Sequence, residues 1–350
     1  MARATLADVA ARAGVSLATA SRVLNGSTRV VGAELRDTVM TAAAELRYVP
    51  NAQAQALARS TNPTVGLVLH DIADPYFSAI ATGVLRVAKE HGLLVTIAST
   101  FRDPEQELAY VQALHEQRAQ AVILAGSGQH DPAFTRRLED AVTAYRDSGG
   151  RVAAVSQHRL RVDTVRPENE QGAYDMTRLL VQQGHRRFAV VSGPGHLLTV
   201  QEREQGVRRA LAEADVALTE RDLLDGEFTR DGGYRAGQEL VGRVGDVTAV
   251  FVLSDIMAVG VMSAFRDHGV SVPRDISVAG FDDIPTARDL TPPLTTVRLP
   301  LEEMGGTVMR MVLDPKHPRR TRSTHFAATV VVRDSTRTLP DVDGKHPQRS

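Results

Sequence analysis

From Thr64 to about Thr338 the chain repeats one pattern: a short apolar, β-branched run, then a stretch with helical periodicity. The apolar runs lie at 65–69, 94–98, 121–124, 152–155, 188–191, 223–224, 249–253 and 276–279. Most lack polar alternation, as strands covered on both faces require. Helical segments at 77–91, 104–117, 169–183, 200–214 and 257–268 lie between them. Repeated βα units predict doubly wound parallel sheets. Eight runs exceed one comfortable open sheet, so the pattern predicts an α/β core of two similar lobes.

The first 50 residues show helical periodicity and no strand pattern. Residues 5–26 read TLADVAARAGVSLATASRVLNG. Leu6, Val9, Ala10 and Ala13 recur at i, i+3, i+4 and i+7, one face of a helix. Thr5 is placed to cap it, with Asp8 three residues on. Gly14 suits the left-handed turn that stops it, Val15 plugs the corner, and Ser16 caps a second helix. Ala20, Val23 and Leu24 point that helix inward, while Leu17, Ala18, Ser21 and Arg22 occupy its other face. This is helix–turn–helix grammar, although an ordinary αα-hairpin with a solvated face fits the same pattern. A third helix over 33–47, with Leu35, Val39, Ala42 and Leu46 inward, closes an all-α mini-core. Short side chains and one arginine suit close approach to base edges, where Arg pairs with guanine and small apolar groups touch a thymine methyl. Thr19, Ser21, Asn25 and Ser27 are placed to bond phosphates.

Charge supports this reading. Net charge is −1, yet residues 1–30 hold Arg3, Arg12, Arg22 and Arg29 against Asp8, so 4 − 1 = +3, and the remainder carries −4. A basic head on a mildly acidic body suits a phosphate-docking module joined to something else. Hydrophobic content of 43% and charged content of 24% are ordinary for a soluble protein. With no cysteine, disulfides and thiolate metal sites are excluded, and a reducing compartment fits. No apolar run is long enough to span a membrane, and MARATLADVA lacks the apolar centre of a signal segment. A cytoplasmic, nucleoid-associated protein without a membrane partner is therefore expected.

Between head and core, Asn51 is placed to cap a short helix over 52–59 with no wide apolar stripe, only Ala54, Leu57 and Ala58. A helix this short is marginal in water. It reads either as a segment ordered by a partner or as a plain linker.

At this point a resemblance becomes specific. ADVAARAGVS and ATASRVLNG, followed by AAELRYVPNAQAQALA, resemble the DNA-binding headpiece of the LacI family over roughly residues 4–59. In order, TVGLVLHDIADPYFSAIATGV, GHRRFAVVSGP, REQGVRRAL, TAVFVLSDIMAVGVM, ISVAGFDD and PPLTTVRLPLEEMG are similar to that family's two-lobed core of periplasmic-binding-protein type. The resemblance implies that Leu17, Ala18 and Arg22 read major-groove bases. It also implies that the hinge helices of a homodimer meet in the minor groove, with Leu57 wedged between base steps. Whatever separates the hinges then weakens DNA binding.

The same architecture implies three crossings between lobes, expected near 160–163, 290–293 and 322–325. That divides the chain into a headpiece (1–50), a hinge (51–63), lobe 1 (64–160 and 293–322), lobe 2 (163–290 and 325–338) and a loose tail (339–350). The tail shows no heptads, which favours a dimer over a tetramer. Ligands of such folds sit at the carboxyl ends of the strands. This rule selects the loop Asp74-Pro75-Tyr76-Phe77, Phe101, His158, Asp255, and Phe281-Asp282-Asp283. The resemblance implies effector contact by Tyr76, Phe77, Arg203, Phe228 and Asp282. Tyr76 or Phe77 also reads as lid core, and Asp255 also reads as a cap on the next helix at Ile256. Ser254 stands where the family has Asn.

An enzymatic reading finds no foothold. Gly126-Ser127-Gly128 follows a strand, but Asp131 stands where a dinucleotide fingerprint needs Gly or Ala. No phosphate loop, nucleophile elbow or HExxH is present, and the 11 His show no metal-ligand spacing. The expectation is a regulator without cofactor or metal, read as a repressor. Its partners are operator DNA and a sugar-like effector. The alternative is a stand-alone sugar-binding protein, against which the basic headpiece argues.

Overall fold

The computed structural model describes residues 4–25, 31–48, 62–316 and 320–340. Residues up to Thr64, with 116–120, form one compact unit and the rest form another.

In the first unit, α1 (Leu6–Arg12) opens on a capping box. Thr5 Oγ1 accepts the Asp8 N–H at 3.3 Å, and the Asp8 carboxylate accepts from Thr5 N at 2.8 Å. Gly14 takes φ 66°, the left-handed conformation that turns the chain out of α1. Ser16 Oγ then accepts from Thr19 N at 3.1 Å, starting α2 (Leu17–Asn25). With α3 (Ala33–Glu45), these helices enclose Val9, Ala10, Ala20, Val23, Val39, Ala42 and Ala43. Leu35 departs from expectation: it is 40% exposed, because the face of α3 that closes the core begins at Val39.

The core holds two six-stranded sheets. The strands of lobe 1 are β1 (Asn62–Leu69), β2 (Leu94–Ser99), β3 (Ala119–Ala125), β4 (Arg151–Val155), β5 (Asp163–Pro167) and β11 (Ser323–Phe326). They lie in the order β11-β5-β4-β3-β1-β2. Lobe 2 is built on β6 (Phe188–Ser192), β7 (Leu223–Asp225), β8 (Ala249–Val252), β9 (Ser277–Asp282), β10 (Thr295–Arg298) and β12 (Thr329–Val331), in the order β12-β10-β9-β8-β6-β7. The pairs β3–β4, β4–β5, β5–β11, β6–β7, β6–β8, β8–β9 and β9–β10 are parallel, and β10–β12 is antiparallel.

Each predicted apolar run is a strand. β5, β10, β11 and β12 have no counterpart among those runs, and they move the crossings. The chain completes β5, β10 and β11 before it changes lobe, so it crosses at 167–169, 298–301 and 326–329 rather than near 160–163, 290–293 and 322–325. Arg322 explains why β11 stays with lobe 1. Its backbone N–H and guanidinium donate to the Asp163 carboxylate at 2.6–2.9 Å, at the start of β5. The tail is also less loose at its start than expected, since Leu339 N donates to Gln183 O at 2.7 Å; residues 341–350 lie outside the described residues.

Helices cover both sheets. In lobe 1 these are α4 (Pro75–Glu90), α5 (Pro104–Glu116) and α6 (Pro132–Asp147). Lobe 2 carries α7 (Asn169–Gln182), α8 (Leu198–Glu213), α9 (Arg230–Val241), α10 (Asp255–Asp267) and the short α11 (Thr286–Asp289). α12 (Leu301–Leu313) returns to pack on α4. α8 approaches α7 at backbone distance: a Cβ on Gly206 would collide with the Glu170 carbonyl oxygen. That closeness puts Arg203, one turn earlier on α8, against Asn169 at the start of α7. Among the described residues, no helix is long and apolar enough to cross a membrane.

Candidate functional site

The carboxyl ends of the strands of both lobes line one cleft, the place where ligands of such folds sit. Tyr76, Phe77, Arg203, Phe228, Ser254 and Asp282 all line it.

Arg203 organises the lobe 2 wall. Its Nη2 donates to Asp282 Oδ1 at 2.9 Å, Nη1 to the Leu253 carbonyl at 2.6 Å and Nε to Asn169 Oδ1 at 3.1 Å. Its guanidinium also lies 3.8 Å from the centre of the Phe281 ring. Arg203 and Asp282 are each 3% exposed. Asp282 takes φ 120°, a left-handed conformation at the end of β9, and this turns its carboxylate toward Arg203. Burial pushes the Asp282 carboxyl above the ordinary range; Arg203 opposes that and Asp74 adds to it. Ser254 Oγ donates to the other Asp282 oxygen at 3.3 Å, so its hydroxyl faces the cleft.

The lobe 1 wall is aromatic and charged. Tyr76 and Phe77 open α4 and meet edge to face at 4.9 Å. Asp74 caps that helix by accepting from Tyr76 N at 3.0 Å. His70, at the end of β1, lies 5.5 Å from the Phe77 ring. Its pKa falls to about 3 through burial, with Arg102 and His158 adding to the effect, so the ring is neutral. Arg102 follows β2 at φ 65° and reaches across to Phe228. Its Nη2 donates to the Phe228 carbonyl at 3.4 Å, and the guanidinium lies 5.6 Å from the ring centre. Asp74 Oδ2 is 3.7 Å from Arg102 Nη2. The walls therefore bring two guanidinium groups, two carboxylates and the rings of His70, Tyr76, Phe77 and Phe228 to one space, groups able to stack on a ring and to hydrogen-bond its polar edge.

Two expected residues stand elsewhere. Asp255 opens α10, but its carboxylate accepts from Thr296 Oγ1 at 2.6 Å and from Ile284 N at 3.0 Å. It links α10 to β10 and to the loop after β9, does not cap Ile256, and is absent from the cleft wall. Both of its oxygens are consumed by these strand-end groups, which explains its position. His158 is likewise off the wall, packed behind it with Nε2 at 3.4 Å from Glu107 Oε1. Phe101 is 73% exposed, and its neighbour Arg102 lines the cleft instead. His70, Arg102, Ser127 and Ser156 line the cleft without having been singled out as contacts. Each follows the end of one of the first four strands, so the strand-end rule already contained the signal.

In the headpiece, Ser16 just before α2 and Leu17, Ala18 and Arg22 on it are exposed, Leu17 by 54%. Thr19 and Ser21 are half-buried beside them. Thr5 is committed to the cap of α1. Asn25 closes α2. The side chain of Asn25, together with Ser27 and the hinge residues Asn51, Ala54 and Leu57, lies outside the described residues.

A helix–turn–helix presenting such a face, joined in one chain to a two-lobed core with a polar and aromatic cleft at its strand ends, defines a ligand-responsive DNA-binding regulator. Comparison with known proteins agrees. Residues 5–51 match the model of the bacterial regulatory proteins of the lacI family, and residues 177–336 match a periplasmic binding protein-like domain. The chain is 38% identical to the transcriptional regulator GalS of Salmonella typhimurium over 312 residues, 88% of this chain and 89% of that one. It is 34% identical to GalR of Escherichia coli, covering 98% of each. Among solved structures it is similar to the Lac repressor dimer bound to operator and an anti-inducer, with TM-score 0.83, 26% identity and coverage of 96% of this chain and 99% of that one. It is also similar to a CelR–cellobiose complex, with TM-score 0.69, 32% identity and coverage of 95% and 100%. The chain belongs to the LacI family of transcriptional regulators. The named relatives are regulators rather than enzymes.

Proposed function

We propose that the protein is a homodimeric repressor whose grip on a pseudo-palindromic operator is set by a neutral, hydroxyl-rich effector such as a sugar. The cleft carries this reading: Arg203 and Asp282 are paired on one wall, and on the other side Arg102 lies beside Asp74 and over the ring of Phe228. Two cations balance two carboxylates, which suits a ligand without net charge. The relative CelR was solved with cellobiose, and the Lac repressor as a dimer on its operator. In this chain, one α2 helix enters each half-site, Asn51, Ala54 and Leu57 act at the minor groove, and the protein works on chromosomal DNA without catalysis. The test is a thermal-shift screen of mono- and disaccharides against nucleobases. A bound sugar at ~100 times its Kd stabilises by about 2.7 kcal/mol. Stabilisation by nucleobases alone overturns the sugar assignment.

The exposed face of α2 carries a separate prediction. Arg22→Ala weakens binding to a selected operator by about 1–3 kcal/mol and relaxes base choice at one position per half-site. Selection from a randomised DNA pool followed by retardation assays checks it. An equal loss on operator and random DNA would show that Arg22 contacts only phosphate.

A further inference from the structure

In the wall of the cleft, lobe 1 completes a helix of lobe 2. α8 has Leu197 at its N-cap position and no side-chain cap of its own. The first amides of a helix have no partner within it. Here two of them find acceptors in the other lobe: Leu198 N donates to Gly128 O at 3.0 Å and Thr199 N to Ser127 Oγ at 2.9 Å. Thr199 is the second helical residue, where the oxygen of a capping serine ordinarily goes. Ser127 thus does from β3's exit loop what a local cap does elsewhere. Its own hydroxyl proton goes to Gly128 O at 3.0 Å, which leaves its lone pairs to Thr199.

The surrounding contacts hold this arrangement across the cleft. His130 N donates to His196 O at 2.9 Å, Gln129 and Leu197 form an isolated antiparallel bridge, and Thr199 Oγ1 meets Ser156 Oγ at 3.0 Å. Ser127 is 9% exposed and Ser156 3%. Water therefore competes poorly for these bonds while the lobes stay together.

Thr199 and Arg203 are four residues apart, one above the other on the same face of α8. Arg203 has no slack, being held by three acceptors and a ring. The turn that Ser127 caps is the turn from which Arg203 is aimed. We infer that Ser127 is a positioning residue: its hydroxyl caps α8 across the cleft and so couples closure of the two lobes to the placement of Arg203. The importance given to Arg203 rests on the cleft being the effector site. The cap itself does not, and its test uses neither effector nor DNA.

The test exploits the absence of native cysteine. Arg136→Cys on α6 and Glu239→Cys on α9, both at exposed positions, take spin labels in the full-length protein, one per lobe. Pulsed dipolar spectroscopy then reads the spread of interlobe distances, and hydrogen exchange reads the peptide spanning 196–204. The Ser127 variants are made in this doubly labelled background. Ser127→Ala, which removes a single oxygen atom, is expected to broaden the distances toward longer values. It should also speed exchange at Thr199 by about five- to tenfold while β8 keeps its protection. Ser127→Thr, which keeps the hydroxyl, is expected to restore both. Superimposable distances with unchanged exchange in Ser127→Ala overturn the proposal. So does exchange that rises equally across lobe 2, because a merely structural serine would act that way.

Discussion

Replacing Arg203 with methionine will destabilise the core by about 3–5 kcal/mol and abolish effector binding together. The guanidinium is buried, and its loss strands more than one group. Asp282, itself 3% exposed, keeps the hydrogen bond from the Ser254 hydroxyl but loses its cation. The Leu253 carbonyl and Asn169 Oδ1 each lose the donor described for them, and the Phe281 ring loses its stacked cation. An uncompensated buried carboxyl neutralises itself, so Asp282 takes up a proton that burial already favours. Urea titration of Arg203→Met, Asp282→Asn and the double variant checks the account. The double variant is expected to be more stable than Arg203→Met alone, since no carboxyl then has to take up a proton to remain buried. None of the three is expected to respond to the sugar that stabilises the native protein. An Arg203→Met protein as stable as the native one would sink the argument.

Most of the architecture was legible because it rests on burial. Runs such as Ala121-Val122-Ile123-Leu124, all 0% exposed, cannot be anything but central strands. The strands without an apolar run are short, and all but β12 are largely polar. β5 reads DTVRP, β10 TTVR and β11 STHF, each of four or five residues. β5 and β11 alternate between half-buried or exposed and more buried positions, which in so short a stretch looks like loop. What makes β11 a strand is a partner far away in sequence, Arg322 clamping Asp163, and no local pattern carries that information. Because these strands close each segment before a crossing, every crossing lies further toward the C-terminus than the apolar runs alone imply.

The cleft was legible in part for a related reason. Strand-end position is a local property, so Tyr76, Phe77 and Asp282 fall where the rule points. Which of two adjacent residues faces the cleft is not local. Phe101 and Arg102 both have positive φ, and the turn sends the ring outward and the guanidinium inward. Asp255 and Asp282 are both buried aspartates at strand ends. One spends its carboxylate on Thr296 and Ile284, the other on Arg203 and Ser254. Only the packing of β10 beside β9 separates those roles.

That distinction yields the second large effect, a stability that falls as pH rises and that Asp255→Asn flattens. Asp255 is fully buried and holds a pKa raised to about 8, by burial first and by the neighbouring Asp282 next, against the pull of the Thr296 and Ile284 donors. The folded protein therefore binds this proton more tightly than the unfolded chain, whose aspartate titrates near 3.9. Below that pH both states are protonated and the contribution to stability is complete. Between there and about pH 8 the unfolded chain has released the proton and the folded one has not, so stability falls by about 1.4 kcal/mol per pH unit from this group. Above about pH 8 both are ionised and the slope ends. The carboxamide introduced by Asp255→Asn would match the protonated shape: its oxygen accepts from Ile284 N, and its NH₂ donates to Thr296 Oγ1. The advantage of Asp255→Asn over the native protein is then expected to grow steadily from pH 5 to pH 8, as read from denaturant midpoints at each pH. Asp282, Asp74 and Glu202, whose carboxyls burial raises in the same direction, add to the remaining slope, and His70, lowered by burial, opposes it up to the ordinary histidine range. Parallel curves for the two proteins over that range would mean that Asp255 is ionised in the folded state, and that its two donors outweigh burial.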